Sequence, residues 1–157
     1  MNNISVLGIF VADIVFSGNK IPMIGETILG NQYKVGPGGK GCNQAISISR
    51  MGGKVDFITK IGNDDYGKLA LATFRKNNIS LSNIIISDHH PTGVAGILVD
   101  ENSGRNAINV VVGAAKTLKI DEVNIEVIKK SKIFLTQLEI SKEVTLHCLK
   151  VAKEKNI

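Results

Sequence analysis

Several residue types are scarce in this 157-residue chain. It has no tryptophan, aromatic residues make up 4% of it, and only three of its 19 basic residues are arginines. Proteins that read nucleic-acid bases depend on arginine and on stacking aromatic side chains. The net charge of +5 therefore indicates a solvated, lysine-rich surface, and we expect no nucleic-acid partner.

Cysteine is also rare, and long apolar runs are absent. Cys42 and Cys148 lie far apart and fit no metal-binding spacing, so we expect reduced thiols and a cytoplasmic protein. No run is long enough to cross a membrane, and we expect no membrane partner. The apolar N-terminal segment has no basic residue before Lys20 and is interrupted by Asp13, which is not the pattern of a secretory signal.

Apolar runs of strand length alternate with segments of helical period. Strands are predicted at ISVLGIF, VDFITKI, SNIIIS and KIFLTQL, and helices are predicted to begin near residues 41, 64, 121 and 142. This alternation predicts an α/β fold with a mainly parallel sheet. Short segments between Asp13 and residue 35, and a hairpin signal over 92–113, break the alternation. We expect these segments to form a separate small sheet.

The densest glycine cluster is GPGGKGCNQA (36–45), directly before a predicted helix. A nucleotide-binding P-loop needs Ser or Thr after its lysine, but Gly41 follows Lys40, and Lys34 stands where the first glycine is required. Three glycines match the spacing of the dinucleotide fingerprint. However, the preceding segment is short and half polar, and no acidic residue ends the next strand. A dinucleotide-binding domain remains a remote alternative.

The same segment offers hydrogen-bond donors to an uncharged ligand. Asn43 falls in the first helical turn, where backbone N–H groups are free, and glycines let a ligand approach the backbone. Such a site suits hydroxyl groups at least as well as phosphates. The alternative is a tight turn whose glycines serve geometry only. We favour that alternative for Gly36 alone, and a binding site for Gly38 to Asn43 as a unit.

GPGGKGCNQA resembles the first signature of the ribokinase-like (PfkB) sugar kinases, in the form that ribokinases carry. LGIFVAD, IPMIGETILG, FITKIGNDDYG, PTGVAGILVD and FLTQLE resemble further segments of the family, in order and over the whole chain. The resemblance implies phosphorylation of a sugar hydroxymethyl group by ATP with Mg2+, with a monovalent cation as a further candidate. It also implies a small β-sheet lid, at about 13–35 and 92–113, through which two copies could form a homodimer.

The resemblance also implies which residues contact the sugar. Asp13, after the first strand, would accept hydrogen bonds from adjacent hydroxyl groups, and Glu139 would lie near the sugar. The glycine segment would add backbone donors and a polar side chain, through Gly39, Lys40, Gly41 and Asn43.

Two features depart from the ribokinase pattern. Val11 stands where ribokinases usually carry asparagine, so we expect Val11 to line the site and to disfavour ribose itself, leaving a related sugar or a nucleoside. The family's GAGD turn, with its base aspartate, has no counterpart, and VVGAAK is the nearest match in letters. We therefore expect the sugar-binding half of a kinase domain, without its catalytic residues, ATP site or C-terminal half, and inactive alone. The alternative is a non-catalytic half-protein that binds a sugar or a partner kinase chain.

Overall fold

The computed structural model describes residues 3–157. The strands are β1 Asn3–Leu7, β2 Val11–Gly18, β3 Gln32–Gly38, β4 Lys54–Gly62, β5 Ile84–Ser87, β6 Thr92–Asp100, β7 Asn106–Gly113 and β8 Ile133–Thr136. The α-helices are α1 Lys40–Arg50, α2 Asp65–Lys76, α3 Ile125–Lys129 and α4 Lys142–Glu154, and 3-10 turns cover Ala114–Thr117 and Ile120–Glu122.

The first sheet is parallel, with the strand order β5-β4-β1-β8. Its central strands are buried on both faces, as their continuous apolar runs predict. On one face, Phe74 of α2 packs edge-to-face against Phe57 of β4 and Phe10, with ring centroids 5.4 and 5.7 Å apart. On the other face, Leu7 and Ile58 pack in a second cluster with residues of α3 and α4. The predicted α/β fold is confirmed.

The second sheet is small and mixed, with the order β3-β2-β6-β7. β2 pairs antiparallel with β3 and parallel with β6, and β6 and β7 form the predicted antiparallel hairpin. The hairpin turn uses Gly104 at a φ of +69°, a conformation that glycine adopts without strain. Only residues 8–10 separate β1 from β2, so the chain passes directly from the parallel sheet into the small sheet.

Some predicted boundaries were wrong. Among the short segments expected to form the small sheet, residues 19–31 are turns and irregular backbone, and β3 begins only at Gln32. The helix predicted from Asp121 is split, because Val123 is extended between a 3-10 turn and the short α3. β5 lies at a sheet edge and leaves Ile86 half exposed, so it is not fully buried.

The predicted helix starts agree with the structure better than these boundaries do. Asp64 caps α2 by accepting a hydrogen bond from the backbone N–H of Gly67, and Ser141 caps α4 in the same manner.

Within the part of the chain that the structure describes, none of the helices has the length and apolar character needed to cross a bilayer.

Candidate functional site

A cavity of about 170 Å³ lies between the carboxyl end of the parallel sheet and one face of the small sheet. Six of the seven predicted sugar-binding residues line it. They are Val11, Asp13, Gly39, Lys40, Asn43 and Glu139. The cavity thus joins side chains from β2, from the start of α1 and from the segment after β8.

Strand alternation places Val11 and Asp13 on the cavity side of β2. Successive side chains of a strand point to opposite faces, and Ala12 between them is fully buried on the other side. Asp13 is partly buried, and burial raises the pKa of its carboxyl group. A side chain at Gly38, the register neighbour of Val11, would overlap the Asp13 carboxylate. Gly38 therefore makes room for a side chain of the site.

The Lys40–Glu139 pair joins the start of α1 to the segment after β8. The Glu139 carboxylate accepts hydrogen bonds from the Lys40 backbone N–H at 3.1 Å and from Lys40 Nζ at 2.5 Å. Lys40 is 72% exposed, whereas Glu139 is 17% exposed. A carboxylate at a helix N-terminus is favoured by the helix dipole. The Lys40 N–H, a predicted ligand donor, is thus already bonded to Glu139.

The remaining glycines of the segment have different surroundings. Gly39 has a φ of +93°, and a Cβ there would lie 2.5 Å from the carbonyl oxygen of Ile9. Gly41, the seventh predicted residue, is buried behind the cavity, where a Cβ would lie 2.7 Å from Gly8 Cα. Its missing side chain thus allows α1 to pack closely against the end of β1. Asn43 lies in the first turn of α1, and its side chain is exposed.

Apolar side chains of the small sheet form a wall of the cavity beside Asp13. This wall consists of Val11, which the sequence predicted, and of Ala95, Ile97, Ile108 and Val110, which it did not. In the strand register Asp13 pairs with Ala95, Ala95 with Val110, and Ile97 with Ile108. Alternation along β6 and β7 was the available signal, but only the pairing of the strands with β2 identifies the face that meets the cavity.

Cys42 is buried next to this site but does not line it. Burial, with a smaller contribution from the Asp13 charge, raises the pKa of its thiol to about 12. A thiol with so high a pKa stays protonated at neutral pH and is a poor nucleophile. Its place in the apolar cluster with Phe10 and Phe57 agrees with a packing role.

Comparison with known proteins identifies the family. The profile of the pfkB family carbohydrate kinases matches residues 1–156. The chain belongs to this family. A ribokinase of Dictyostelium discoideum is 39% identical over 159 residues, which cover 99% of this chain and 49% of that enzyme. A deoxyribokinase of Salmonella typhi is 31% identical over 99% of this chain and 51% of that enzyme.

Solved structures agree with this pfkB assignment. The structure of Arabidopsis thaliana ribokinase complexed with ribose and ATP superimposes with a TM-score of 0.85 and 26% identity, covering 99% of this chain and 51% of that one. The predicted ribokinase-like fold is therefore confirmed. This pfkB chain spans about half the length of the relatives it matches.

Proposed function

We propose that this chain binds the sugar in a pfkB kinase domain, which transfers the γ-phosphoryl group of ATP to a sugar hydroxymethyl group. The observation that carries the proposal is the convergence of Asp13, Lys40, Asn43 and Glu139 on one cavity at the carboxyl end of a parallel sheet. Open α/β sheets bind their ligands at this end. The names and bound ligands of the relatives support a sugar as the ligand.

Each polar residue has a role that its chemistry allows. The ionised Asp13 accepts two hydrogen bonds from neighbouring hydroxyl groups, which gain strength from the charge. Asn43 both donates and accepts. Glu139 is bonded to Lys40 in this structure. A sugar hydroxyl group would accept from Lys40 Nζ and donate to Glu139, and so bridge the pair.

The apolar wall sets the preference among sugars. A hydroxyl group pressed against Val11 would lose its bonds to water and gain no partner, which costs free energy. Val11 is 3% exposed and stands two residues before Asp13, so it lies beside the hydroxyl groups that Asp13 holds. We propose a substrate that lacks a hydroxyl group at this point or presents an apolar group there. A deoxyribokinase is among the relatives, and the Dictyostelium discoideum ribokinase is more similar to this chain, so the preference rests on Val11 and not on the comparison.

The nucleotide and Mg2+ would be held outside this chain. When bound, ATP with Mg2+ supplies the phosphoryl group and neutralises its charge. The residues described here bind and orient the acceptor sugar.

The small sheet would act as the lid and as the contact in a homodimer. Its inner face carries the apolar wall of the cavity. Its outer face exposes Phe16 stacked on Tyr33, with ring centroids 6.4 Å apart, and Val35 and Val111 are 44% and 57% exposed. Such a cluster of exposed apolar side chains is a surface on which a second copy could pack.

Two alternatives differ in class. A non-catalytic half-protein would bind the sugar through the same cavity, and only an assay of phosphoryl transfer separates it from a kinase. A dinucleotide domain is disfavoured because the glycine segment follows β3, an antiparallel strand of the small sheet. The dinucleotide fingerprint instead follows a buried parallel strand.

Two measurements test the proposed function. The 15N-labelled chain is titrated with D-ribose and 2-deoxy-D-ribose, and we expect amide shifts at Asp13, Lys40 and Asn43 that Asp13→Ala abolishes. Asp88→Ala, which removes a carboxylate outside the cavity lining, is the matched control. No shift at these amides with any sugar of the panel would refute the site. In the second measurement, phosphoryl transfer from ATP is expected only when a complementary C-terminal kinase half is supplied.

A further inference from the structure

Gln137 lies in the turn that carries Glu139 but does not line the cavity. We propose that Gln137 is a positioning residue, which holds the Glu139 carboxylate against Lys40. The importance of this arrangement for sugar binding rests on the proposed function, whereas the arrangement itself can be tested without any sugar.

The Gln137 side chain fills a slot between β1 and α1. A Cβ added to Gly41 would lie 2.9 Å from Gln137 Oε1 and 2.7 Å from Gly8 Cα, and a Cβ added to Gly8 would overlap the same oxygen. Both glycines are therefore needed for the amide to enter. Gln137 Nε2 donates a hydrogen bond to Gln44 Oε1, one helical turn after Lys40. The amide is thus fixed from both sides.

Part of this arrangement is unfavourable. Gln137 Oε1 is buried and has no hydrogen-bond partner among the described residues. Burying an unpaired carbonyl oxygen costs stability, so packing and the bond to Gln44 must offset that cost. A methionine or leucine would fill the same slot without burying an unpaired polar atom. The amide supplies the hydrogen bond to Gln44, which an apolar residue of the same size could not make.

The backbone of the next residue is strained. Leu138 has a φ of +61°, a left-handed conformation that is rare for a non-glycine residue, and its side chain is 77% exposed. This conformation reverses the chain so that Gln137 and Glu139 both reach the first turns of α1. Strained residues persist only where neighbouring contacts hold them. Here the contacts are Gln137 with Gln44 on one side and Glu139 with Lys40 on the other.

Removing the Gln137 anchor would let Leu138 return to an extended conformation. Glu139 would then move away from the N-terminus of α1, and Lys40 would lose both of its bonds to the carboxylate. A glycine at 138 has no such preference, because it adopts positive φ without strain. Leu138→Gly should therefore restore the turn in a chain that lacks the Gln137 amide.

The Lys40 amide proton reports the arrangement directly, because Glu139 accepts its hydrogen bond. In NMR spectra of the sugar-free chain, we expect Gln137→Leu to move the Lys40 amide resonance upfield, while amides of β1 keep their positions. The double variant Gln137→Leu/Leu138→Gly should move it back toward the wild-type position. Gln32→Leu is the matched control, since Gln32 also donates to a side chain but lies in the small sheet.

A second variant protects the test against misfolding. Gln44→Ala removes the acceptor of the Gln137 amide from the half-buried side of α1 without changing the packed slot, and it should move Lys40 in the same direction. An unchanged Lys40 resonance in both Gln137→Leu and Gln44→Ala, or no recovery with Leu138→Gly, would overturn the positioning role.

Sugar affinity then links the turn to function. We expect Gln137→Leu to raise the Kd for 2-deoxy-D-ribose about tenfold relative to the wild-type chain, the upper end of what one neutral hydrogen bond contributes. Gln32→Leu should leave the Kd unchanged. If Lys40 responds as expected but the wild-type chain binds no sugar, the positioning role stands and the proposed sugar site fails. Equal Kd values in a chain whose Lys40 resonance has moved would show that sugar binding does not need the arrangement, and would overturn that part of the inference.

Discussion

Asp64 accepts hydrogen bonds from both the backbone N–H and the hydroxyl group of Thr92, each at 2.7 Å. The same carboxylate caps α2 through the N–H of Gly67 at 2.8 Å. Thr92 is the first residue of β6 and is 3% exposed. One side chain therefore ties a helix of the parallel-sheet layer to the strand that begins the small-sheet hairpin, at the point where the two layers join.

The first prediction concerns this link. Burial acts to raise the pKa of Asp64, but the hydrogen bonds from Thr92 and Gly67 outweigh it and lower the pKa below its ordinary value. Asp64→Asn should reduce the free energy of unfolding by about 2 kcal/mol at pH 7, because an amide cannot accept all three bonds. Urea denaturation followed by circular dichroism measures this difference.

The pH dependence of that loss follows from linkage. A carboxyl group with a lowered pKa in the folded state stabilises the protein above its unfolded pKa, and this stabilisation is lost as the pH falls through the folded pKa. The difference in the free energy of unfolding between wild type and Asp64→Asn should therefore become smaller at acid pH. Asp65→Asn, at an exposed neighbour bonded only to Lys68 among the described residues, is the control. An equal loss of unfolding free energy in Asp64→Asn and Asp65→Asn would contradict the proposed stabilising link through Asp64.

The second prediction concerns Asp13, whose pKa shifts in the opposite direction. Burial raises the pKa of Asp13, so the folded state favours the protonated carboxyl group. The ionised form that binds hydroxyl groups is therefore unfavourable for folding above the folded pKa, and the penalty disappears below the unfolded pKa. Asp13→Asn should make the chain more stable at pH 7 while it abolishes sugar binding. This gain in the free energy of unfolding should vanish near pH 3.

Denaturation at several pH values, together with a sugar titration, checks this prediction. Asp121→Asn, at an exposed position outside the cavity, controls for the loss of one negative charge. A less stable Asp13→Asn chain at pH 7 would mean that local contacts of the carboxylate outweigh its burial.

The third prediction concerns the apolar wall. Val11→Asn places a donor and an acceptor beside Asp13 and should shift binding toward ribose and away from deoxy sugars. A site built to bond a hydroxyl group discriminates strongly against a ligand without it. The measurement is the ratio of the Kd values of D-ribose and 2-deoxy-D-ribose. Val111→Asn, on the outer face of the same sheet and outside the cavity lining, is the control. If wild type already prefers ribose and the ratio does not change, our interpretation of Val11 is wrong.

The fourth prediction is that the isolated chain associates. β8 ends one side of the parallel sheet, and α4 beside it exposes apolar side chains. Leu138, Leu146 and Leu149 line one groove there, of about 370 Å³, and are 77%, 46% and 41% exposed. Unpaired strand edges and exposed apolar patches promote association. Light scattering at tens of micromolar should report species larger than a monomer.

Two variants identify the surface responsible for association. Leu146→Lys/Leu149→Lys changes the α4 face, and Phe16→Lys/Tyr33→Lys changes the outer face of the small sheet. If the chain associates through the small sheet, only Phe16→Lys/Tyr33→Lys should reduce the measured mass to that of a monomer. A wild-type chain that is monodisperse and monomeric would refute the prediction of association.

Local sequence patterns determined the element types and several of their ends. The continuous apolar run of β4, the helix start near Asp64 and the hairpin of β6 and β7 were each predicted, because each depends on residues a few positions apart. Motif resemblance also determined six of the residues that line the cavity, since the family signature fixes residue types at set positions. The same patterns could not place the ends of irregular segments, such as the split helix after Asp121.

Only the tertiary structure decided how those residues meet. Lys40 and Glu139 are 99 positions apart, and no periodicity links them until β8 pairs with β1 and brings the two together. The apolar wall likewise depends on which face of the hairpin meets β2. The motif predicts a ligand contact at Gly41, and only the tertiary structure shows that Gly41 also packs closely against Gly8 and Gln137. Contacts of this kind join residues far apart in the sequence, because they arise when the two sheets pack together. Local sequence patterns, which span only a few residues, therefore cannot predict them.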